Sequence, residues 1–208
     1  MFNLTPLVRS LILINVIVFI LQKFLPMQFS LHCDGHLYGI DFSGLVSLWP
    51  LSSCAFFPYQ FFTYMFAHGG IGHIFFNMLT LASFAPILEN YWGEKKFLFY
   101  YLATGIGAGV IYGVVNYFFG DVGGSMLGAS GALYGVLMAF GMVFPEMEIM
   151  MLFVPIPIKA KYLVFIMGAV TWMLDSSGSV AHLAHFGGAF VGFIIVSFWR
   201  SQGRGRGY

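Results

Sequence analysis

The chain has 208 residues, of which 59% are hydrophobic and 8% charged, with a formal net charge of +1. A soluble domain carries roughly 25% charged residues, and a globule of this size has too little interior to bury so many apolar side chains. The composition therefore excludes an ordinary soluble domain and predicts one all-α membrane domain, residues 1–208, surrounded by the lipid bilayer. The near-neutral charge gives no reason to expect a nucleic-acid partner.

Six apolar segments predict six membrane helices in chain order. Their expected bounds are Ser10–Phe24, Ile71–Asn90, Lys96–Phe118, Gly128–Phe144, Ala160–Leu174 and Ala181–Trp199. Several are shorter than the ~20 residues that cross a bilayer comfortably, which predicts local thinning or ends buried within the protein. The first segment is expected to be a retained helix, because no small-residue cleavage pattern follows it.

The connecting segments differ in character. Pro26–Gly70 is long and rich in aromatic residues, so we expect it to lie in the membrane interface against the bundle. It contains both cysteines, Cys33 and Cys54, for which buried free thiols are favoured over a disulfide without excluding one. The prolines of Pro145–Lys159 argue against a continuous helix. The basic segment Arg200–Tyr208 is expected to be a disordered tail near anionic headgroups.

The distribution of basic residues predicts the orientation. With six spans, both termini lie on one side of the membrane. That side receives Arg9, Lys95, Lys96, Lys159, Lys161, Arg200, Arg204 and Arg206, whereas the other receives only Lys23. Because cytoplasmic loops carry the excess of Lys and Arg, we expect both termini to be cytoplasmic in a cell membrane.

A few strongly polar residues fall near the starts of three predicted helices, where such groups are costly and mark function by default. His73 and Asn77 begin the second helix, Ser130 the fourth and His185 the sixth. These three helices all run from the outside to the inside. The topology therefore predicts that their polar groups converge at one depth in the outer half of the membrane.

Small residues around Ser130 and after His185 predict close packing of the fourth and sixth helices. Gly131 follows the serine, and Gly188 and Gly192 form a flat face one turn below the histidine. Such faces let helices approach closely. The imidazole would then reach the hydroxyl, which is the pairing that activates a serine nucleophile.

Further residues complete the predicted site. Tyr134 lies four residues after Ser130, on the same helix face, and is expected to stack on the imidazole. Asn77, His73 and the Ser130 amide at a helix N-terminus are candidate donors to an oxyanion. Asp175 lies in an outer loop, so the prediction is a Ser–His dyad without a third member.

These residues together resemble the rhomboid intramembrane serine proteases along nearly the whole chain. The shared motifs are His73-Ile-Phe-Phe-Asn77, Gly128-Ala-Ser130-Gly131 with Tyr134, and His185-Phe-Gly-Gly188-Ala-Phe-Val-Gly192. The resemblance implies a six-helix bundle with a long interfacial loop, and an acyl-enzyme mechanism. It further implies Ser130 as nucleophile, His185 as general base and acid, and an oxyanion hole of Asn77, His73 and the Ser130 amide.

The resemblance also implies single-pass transmembrane substrates, cut near the outer end of the membrane segment, and no cofactor or metal. Glu89 matches a family glutamate that ties the second helix to neighbouring polar groups, which we interpret as structural. The chain departs from the family at Tyr59-Gln60, where many members carry Trp-Arg. An arginine anchor of the long outer loop is thereby lost.

Other interpretations of the same residues remain open. Ser130 in a glycine-rich helix is also compatible with simple packing, and His68 and His182 are expected to be structural or water-contacting. An inactive family member that only binds membrane proteins is the second hypothesis, and a histidine-lined ion or proton pathway is the third. A metalloprotease is disfavoured, because no HExxH motif is present.

Overall fold

The computed structural model describes residues 3–25, 28–33, 36–120, 124–151, 154–174 and 179–204. Asp175, the carboxylate considered for a triad, lies outside these described residues. Residues 205–208 of the predicted tail also lie outside them.

All six segments predicted to be helical are helical. The helices are α1 (Pro6–Phe24), α2 (Phe42–Val46), α3 (Gln60–Thr63), α4 (Ile71–Trp92), α5 (Glu94–Phe119), α6 (Ser130–Val143), α7 (Leu163–Leu174) and α8 (Ser179–Arg204), with 3₁₀ turns at Tyr64–Phe66 and Ala160–Tyr162. α1 begins four residues earlier than predicted because a proline is favoured in the first turn of a helix. α8 continues to Arg204, so the prediction of disorder from Arg200 is wrong for residues 200–204.

In the part of the chain that the structure describes, four helices are long and apolar enough to cross a membrane. They are Pro6–Phe24, Ile71–Trp92, Glu94–Phe119 and His182–Gly203, whereas Ser130–Val143 and Ala160–Met173 are shorter apolar helices. Large apolar side chains point away from the bundle, among them Phe24 at 80% exposure and Phe119 at 81%. Lipid is the solvent that such a surface requires. The chain is therefore a mostly helical, multi-pass membrane protein.

The described residues also form two antiparallel β-hairpins, so the prediction of an all-α protein is wrong in this respect. β1 (Gln28–Cys33) pairs with β2 (His36–Asp41), and β3 (Glu148–Met151) pairs with β4 (Val154–Lys159). The prolines of β4 have no N–H to donate, which suits the outer edge of a two-stranded ribbon. The prediction that residues 145–159 do not form a continuous helix is correct, because residues 148–151 and 154–159 form a strand pair.

The short helix α6 is the centre of the bundle. It packs against α4, α5, α7 and α8, and every residue from Gly131 to Leu137 is buried. The buried Tyr100 hydroxyl on α5 donates to the Gly135 carbonyl at 2.7 Å. At 14 residues, α6 is about 21 Å long, against a hydrocarbon core of ~30 Å. A central helix this short can begin below the surface of the bundle.

The long loop between α1 and α4 is bonded to the segment that precedes α6. Leu48 and Met126 exchange two backbone hydrogen bonds of 2.8 Å, and the Gly128 N–H donates to the Tyr64 carbonyl at 2.9 Å. The hydroxyl of Tyr64 donates to the Gly105 carbonyl of α5 at 2.6 Å. The loop therefore fixes the backbone immediately before Ser130.

Gln60 organises this loop from a fully buried position. Its amide nitrogen donates to the carbonyls of Ala55 at 2.8 Å and Leu45 at 3.3 Å. Its amide oxygen accepts from the N–H groups of Phe57 at 3.2 Å and Trp49 at 3.3 Å. The loop thus has a polar anchor at this position without an arginine.

Cys54 is disulfide-bonded and its side chain is exposed. The expectation of a buried free thiol is therefore wrong for this residue. Sequence spacing carries no information about which parts of an irregular loop come together, and that is what decides whether a disulfide forms. Cys33 is the only other cysteine of the sequence, and its side chain lies outside the described part.

Candidate active site

Two side chains at the start of α4 provide hydrogen-bond donors. Asn77 is 7% exposed, and its Nδ2 has no hydrogen-bond partner among the described residues. His73, one turn earlier, accepts at Nδ1 from the Gly69 N–H at 3.4 Å. An imidazole that accepts at Nδ1 carries its proton on Nε2, so the Nε2–H of His73 is a donor.

These donors meet at Gly128. A Cβ atom added at Gly128 would lie 2.8 Å from His73 Nε2 and 3.8 Å from Asn77 Nδ2. The φ angle of Gly128 is +125°, a conformation that residues with a side chain rarely adopt. Glycine therefore lets the His73 ring pack directly on the backbone at position 128, two residues before Ser130 and near the Asn77 amide. A buried amide donor without a partner is costly, and such groups persist where a ligand satisfies them.

Ser130 is the first residue of α6 and is half-buried. The preceding residue, Ala129, makes no side-chain cap to the helix. The first N–H groups of a helix have no intrahelical acceptor, and the helix dipole adds partial positive charge there. The Ser130 amide is thus a third donor on the same side of the bundle.

The contact between α6 and α8 depends on glycines. A Cβ added at Gly188 would overlap the carbonyl of Gly131, and one added at Gly192 would lie 3.1 Å from the Cα of Gly135. A Cβ added at Gly131 would lie 3.5 Å from the Ala184 carbonyl. Gly131 follows Ser130 and Ala184 precedes His185, so the backbones that carry the serine and the histidine are direct neighbours. The predicted close packing of these two helices is confirmed.

Tyr134 stacks on His185, as its position one turn after Ser130 predicts. The ring centroids lie 4.1 Å apart and the ring planes differ by 13°. The phenol oxygen of Tyr134 lies 2.7 Å from Thr171 Oγ1. Either hydroxyl of this pair can donate to the other, and Thr171 Oγ1 also lies 2.9 Å from the Met167 carbonyl of its own helix. The two partners of Tyr134 therefore hold its ring in one orientation.

Thr171 was not predicted as a member of the site. It lies on α7, a helix that is otherwise almost wholly apolar. A single hydroxyl in an apolar helix is the only signal in the sequence, and threonine there commonly bonds to its own helix backbone. Its contact with Tyr134 connects α7 to the stacked pair.

His68 lies behind His73 and is 1% exposed. The two rings meet edge to face with centroids 5.1 Å apart. His68 Nδ1 lies 3.2 Å from the Phe66 carbonyl, so Nδ1 carries the proton. Burial is the main cause and Coulombic repulsion from the neighbouring His73 the second, and together they lower the pKa of His68 from 6.5 to about 4. The neutral, buried ring agrees with the structural role expected for it; His182 is half-buried on α8.

Glu89 lies at the opposite end of α4, about 18 Å along the helix from Asn77. Its carboxylate accepts from the Thr5 hydroxyl and from the Val8 N–H at 3.3 Å, which satisfies orphan donors at the start of α1. The prediction that Glu89 ties the second predicted helix to neighbouring polar groups is confirmed by these two contacts. Within the described part of the chain, no group of three or more His, Cys, Asp or Glu residues is placed to hold a metal ion.

Comparison with known proteins identifies relatives of this chain. The family model described as the rhomboid domain matches residues 57–202. Rhomboid protein 1, mitochondrial, of Saccharomyces cerevisiae is 33% identical over 135 residues, which are 62% of this chain and 38% of the yeast protein. Presenilin-associated rhomboid-like protein, mitochondrial, of Homo sapiens is 32% identical over 146 residues, 64% of this chain and 36% of the human protein.

A bacterial relative is closer in size. Putative rhomboid protease YdcA of Bacillus subtilis is 28% identical over 153 residues, which are 72% of this chain and 71% of that protein. The matched part of the chain spans less than two fifths of the length of the yeast and human relatives.

Proposed function

Because this chain belongs to the rhomboid family, we propose that it is a serine endopeptidase that cleaves single-pass transmembrane proteins within the bilayer. Ser130 is the nucleophile and His185 is the general base and acid. One observation carries the proposal: Asn77 Nδ2 is buried without a partner among the described residues and lies, with His73 Nε2, close to the backbone of Gly128, two residues before Ser130. Such a pair of donors is suited to an oxygen that becomes negative during the reaction.

The chemistry proceeds in two halves. His185 removes the proton from Ser130 Oγ as that oxygen attacks the scissile carbonyl carbon. The resulting oxyanion is stabilised by Asn77, His73 and the Ser130 amide. His185 then gives the proton to the leaving nitrogen, the C–N bond breaks, and an acyl-enzyme remains. Water, deprotonated by His185, attacks the ester; the new carboxylate leaves and Ser130 regains its proton.

The supporting groups fix the histidine in place. Tyr134 stacks on the imidazole of His185 and is itself held by Thr171. Gly188 and Gly192 let α8 approach α6 closely enough to bring the two catalytic side chains together. No aspartate is assigned, so in this proposal ring stacking performs the orienting task that a carboxylate has in a Ser–His–Asp triad.

All six apolar helices cross the membrane in this proposal. The short α6 is enclosed by its neighbours, whereas the short α7 lies at the outside of the bundle, where Phe165, Trp172 and Met173 are exposed. Both termini lie in the cytoplasm of a cell carrying the protein in its cell membrane, because basic residues concentrate on that side. The site then opens to the outer side, and substrates are cut near the outer end of their membrane segment.

Two alternatives remain distinguishable from this proposal. An inactive family member would bind a transmembrane protein without cleaving it. An ion or proton pathway would need polar groups across the bilayer; the polar cluster at one end of α4 and Glu89 at the other are separated by apolar residues such as Leu81 and Ala85. The protease proposal accounts for the convergence of donors at one depth.

The test is cleavage of a fluorescently labelled single-pass substrate by the purified chain in liposomes. Ser130→Ala and His185→Ala are each expected to abolish cleavage. Ser83→Ala is the matched control, since the Ser83 hydroxyl only bonds to the Leu79 carbonyl within α4. Full activity of the Ser130 variant would remove the mechanism, and substrate binding without cleavage by the wild type would favour the inactive binder.

A further inference from the structure

A cleft opens at the end of the bundle opposite to Ser130. It lies between the last turns of α4, α6 and α8 and the first turn of α5, and has a volume of about 370 Å³. Two cationic and three aromatic side chains line it, together with two valines: Lys96, Arg200, Tyr91, Trp92 and Trp199. None of these residues takes part in the proposed catalytic machinery.

The two cations of the cleft have no acidic partner among the described residues. The ion pairs of the described residues lie outside the cleft and join Glu146 to Lys159 and Lys161. Lys96 Nζ instead lies 4.2 Å from the ring centroid of Trp199, and Arg200 donates to the Met142 carbonyl. The cleft therefore holds two uncompensated positive charges, and its lining contains no carboxylate.

The aromatic residues give the cleft the character of a membrane interface. The rings of Trp92 and Trp199 meet edge to face with centroids 5.1 Å apart, and tryptophan prefers the headgroup level of a bilayer. Phe99 lies on α5 one turn after Lys96, toward the middle of the membrane, and is 58% exposed. The centroids of the Phe99 and Trp199 rings are 6.4 Å apart. An apolar surface thus continues from the charged cleft along the helix.

We propose that this cleft binds the headgroup of an anionic phospholipid of the membrane leaflet at this end of the bundle. The phosphate lies between Lys96 and Arg200, which supply charge-assisted hydrogen bonds. The acyl chain runs along the exposed face at Phe99. Basic pockets between membrane helices are suited to such headgroups, and the apolar continuation favours a lipid over a free phosphate ion.

The test measures lipid binding to the full chain in detergent micelles by native mass spectrometry, with phosphatidylglycerol, phosphatidylcholine or inorganic phosphate added. Lys96→Gln and Arg200→Gln are each expected to weaken phosphatidylglycerol binding about five-fold, and the double variant roughly twenty-five-fold. Lys95→Gln is the matched control, because Lys95 is an exposed neighbour outside the cleft lining. It should bind phosphatidylglycerol like the wild type.

Each outcome decides the proposal. Selective loss of phosphatidylglycerol binding in the cleft variants, with little phosphatidylcholine bound by any form, supports it. An equal loss in Lys95→Gln would show diffuse surface charge in place of a site, and overturns it. Full competition by inorganic phosphate at similar concentration also overturns it, because the occupant would then be a free anion. Thermal unfolding of every variant establishes that each is folded, and the assay does not depend on proteolysis.

Discussion

Gly188 of α8 lies directly against the main-chain carbonyl of Gly131, the residue that follows Ser130, so that even one added methyl group would overlap it. The obstacle is backbone and not the end of a flexible side chain. Separation of α6 from α8 is therefore the only response open to a larger residue, and this separation also moves His185 away from Ser130.

Gly188→Ala is accordingly expected to lower both activity and stability. Overpacking typically costs about 1–3 kcal/mol, and the rigid obstacle places this variant near the upper end. Gly203→Ala on the same helix is the control, since a Cβ there meets nothing within 4 Å. Thermal unfolding in detergent and substrate cleavage are measured for both. Wild-type values for Gly188→Ala would contradict the helix contact.

The second prediction is that loss of the Asn77 side chain slows turnover but leaves substrate binding nearly unchanged. Asn77→Ala removes a donor that contributes most when the oxyanion forms, so kcat should fall by about 10²–10³ while KM changes little. Asn116→Ala is a matched control, because Asn116 is also a buried asparagine whose Nδ2 has no partner among the described residues, but it lies on α5. Its variant should keep kcat. A rise in KM with unchanged kcat for Asn77→Ala would instead assign Asn77 to substrate binding.

Local periodicity was sufficient to predict the contacts along the helices. The spacing of Gly188 and Gly192 predicts a flat face, and the i, i+4 spacing of Ser130 and Tyr134 places both on one side of α6. These are properties of a helix that do not depend on its surroundings. For the same reason Thr171 was missed, since nothing in α7 itself indicates that its hydroxyl meets Tyr134.

The irregular segments were predicted less well. The sequence does contain a signal for the first hairpin: Asp34-Gly35 stands between the two segments that form β1 and β2, and this dipeptide is typical of tight hairpin turns. Gln60 has no comparable signal, because its four partners are backbone groups of a loop that only the folded bundle brings together. The disulfide at Cys54 has no local sequence signal either, because it depends on which parts of the loop come together in the folded protein.

The third prediction tests Gln60 as the anchor of the outer loop. Gln60→Ala leaves four backbone groups without their partner, and each buried polar group left unsatisfied costs about 1–3 kcal/mol. Tyr59→Phe, which removes one 3.3 Å hydrogen bond from a neighbouring exposed residue, is the control and should cost less than about 1 kcal/mol. Limited proteolysis of the loop together with thermal unfolding measures both variants. If Gln60→Ala and Tyr59→Phe had the same unfolding temperature and the same rate of proteolysis in the loop, the anchoring role of Gln60 would be contradicted.

The fourth prediction concerns pH. The pKa of His68 is about 4 in the folded protein and 6.5 in the reference state, so between these values the unfolded chain binds more protons. Acidification therefore favours unfolding. The contribution of the neutral His68 ring to the free energy of unfolding is fully present above pH 6.5, falls as the pH drops from 6.5 toward 4, and is lost below pH 4. The full effect is about 3 kcal/mol.

His68→Gln removes this titrating group, so its unfolding midpoint should depend less on pH than that of the wild type between pH 6.5 and 4. Thermal unfolding in detergent across this window measures the difference between the two curves. Parallel curves would show that the acid sensitivity arises elsewhere, for example at the neighbouring His73.

The central claim is that Ser130 is a nucleophile activated by His185, and a fluorophosphonate probe of serine hydrolases tests it most directly. After the full chain reacts in liposomes, mass spectrometry of its peptides locates the modified residue. We expect a single label on Ser130 in the wild type and none in His185→Ala. A label on another residue, or undiminished labelling of Ser130 without the histidine, would contradict it.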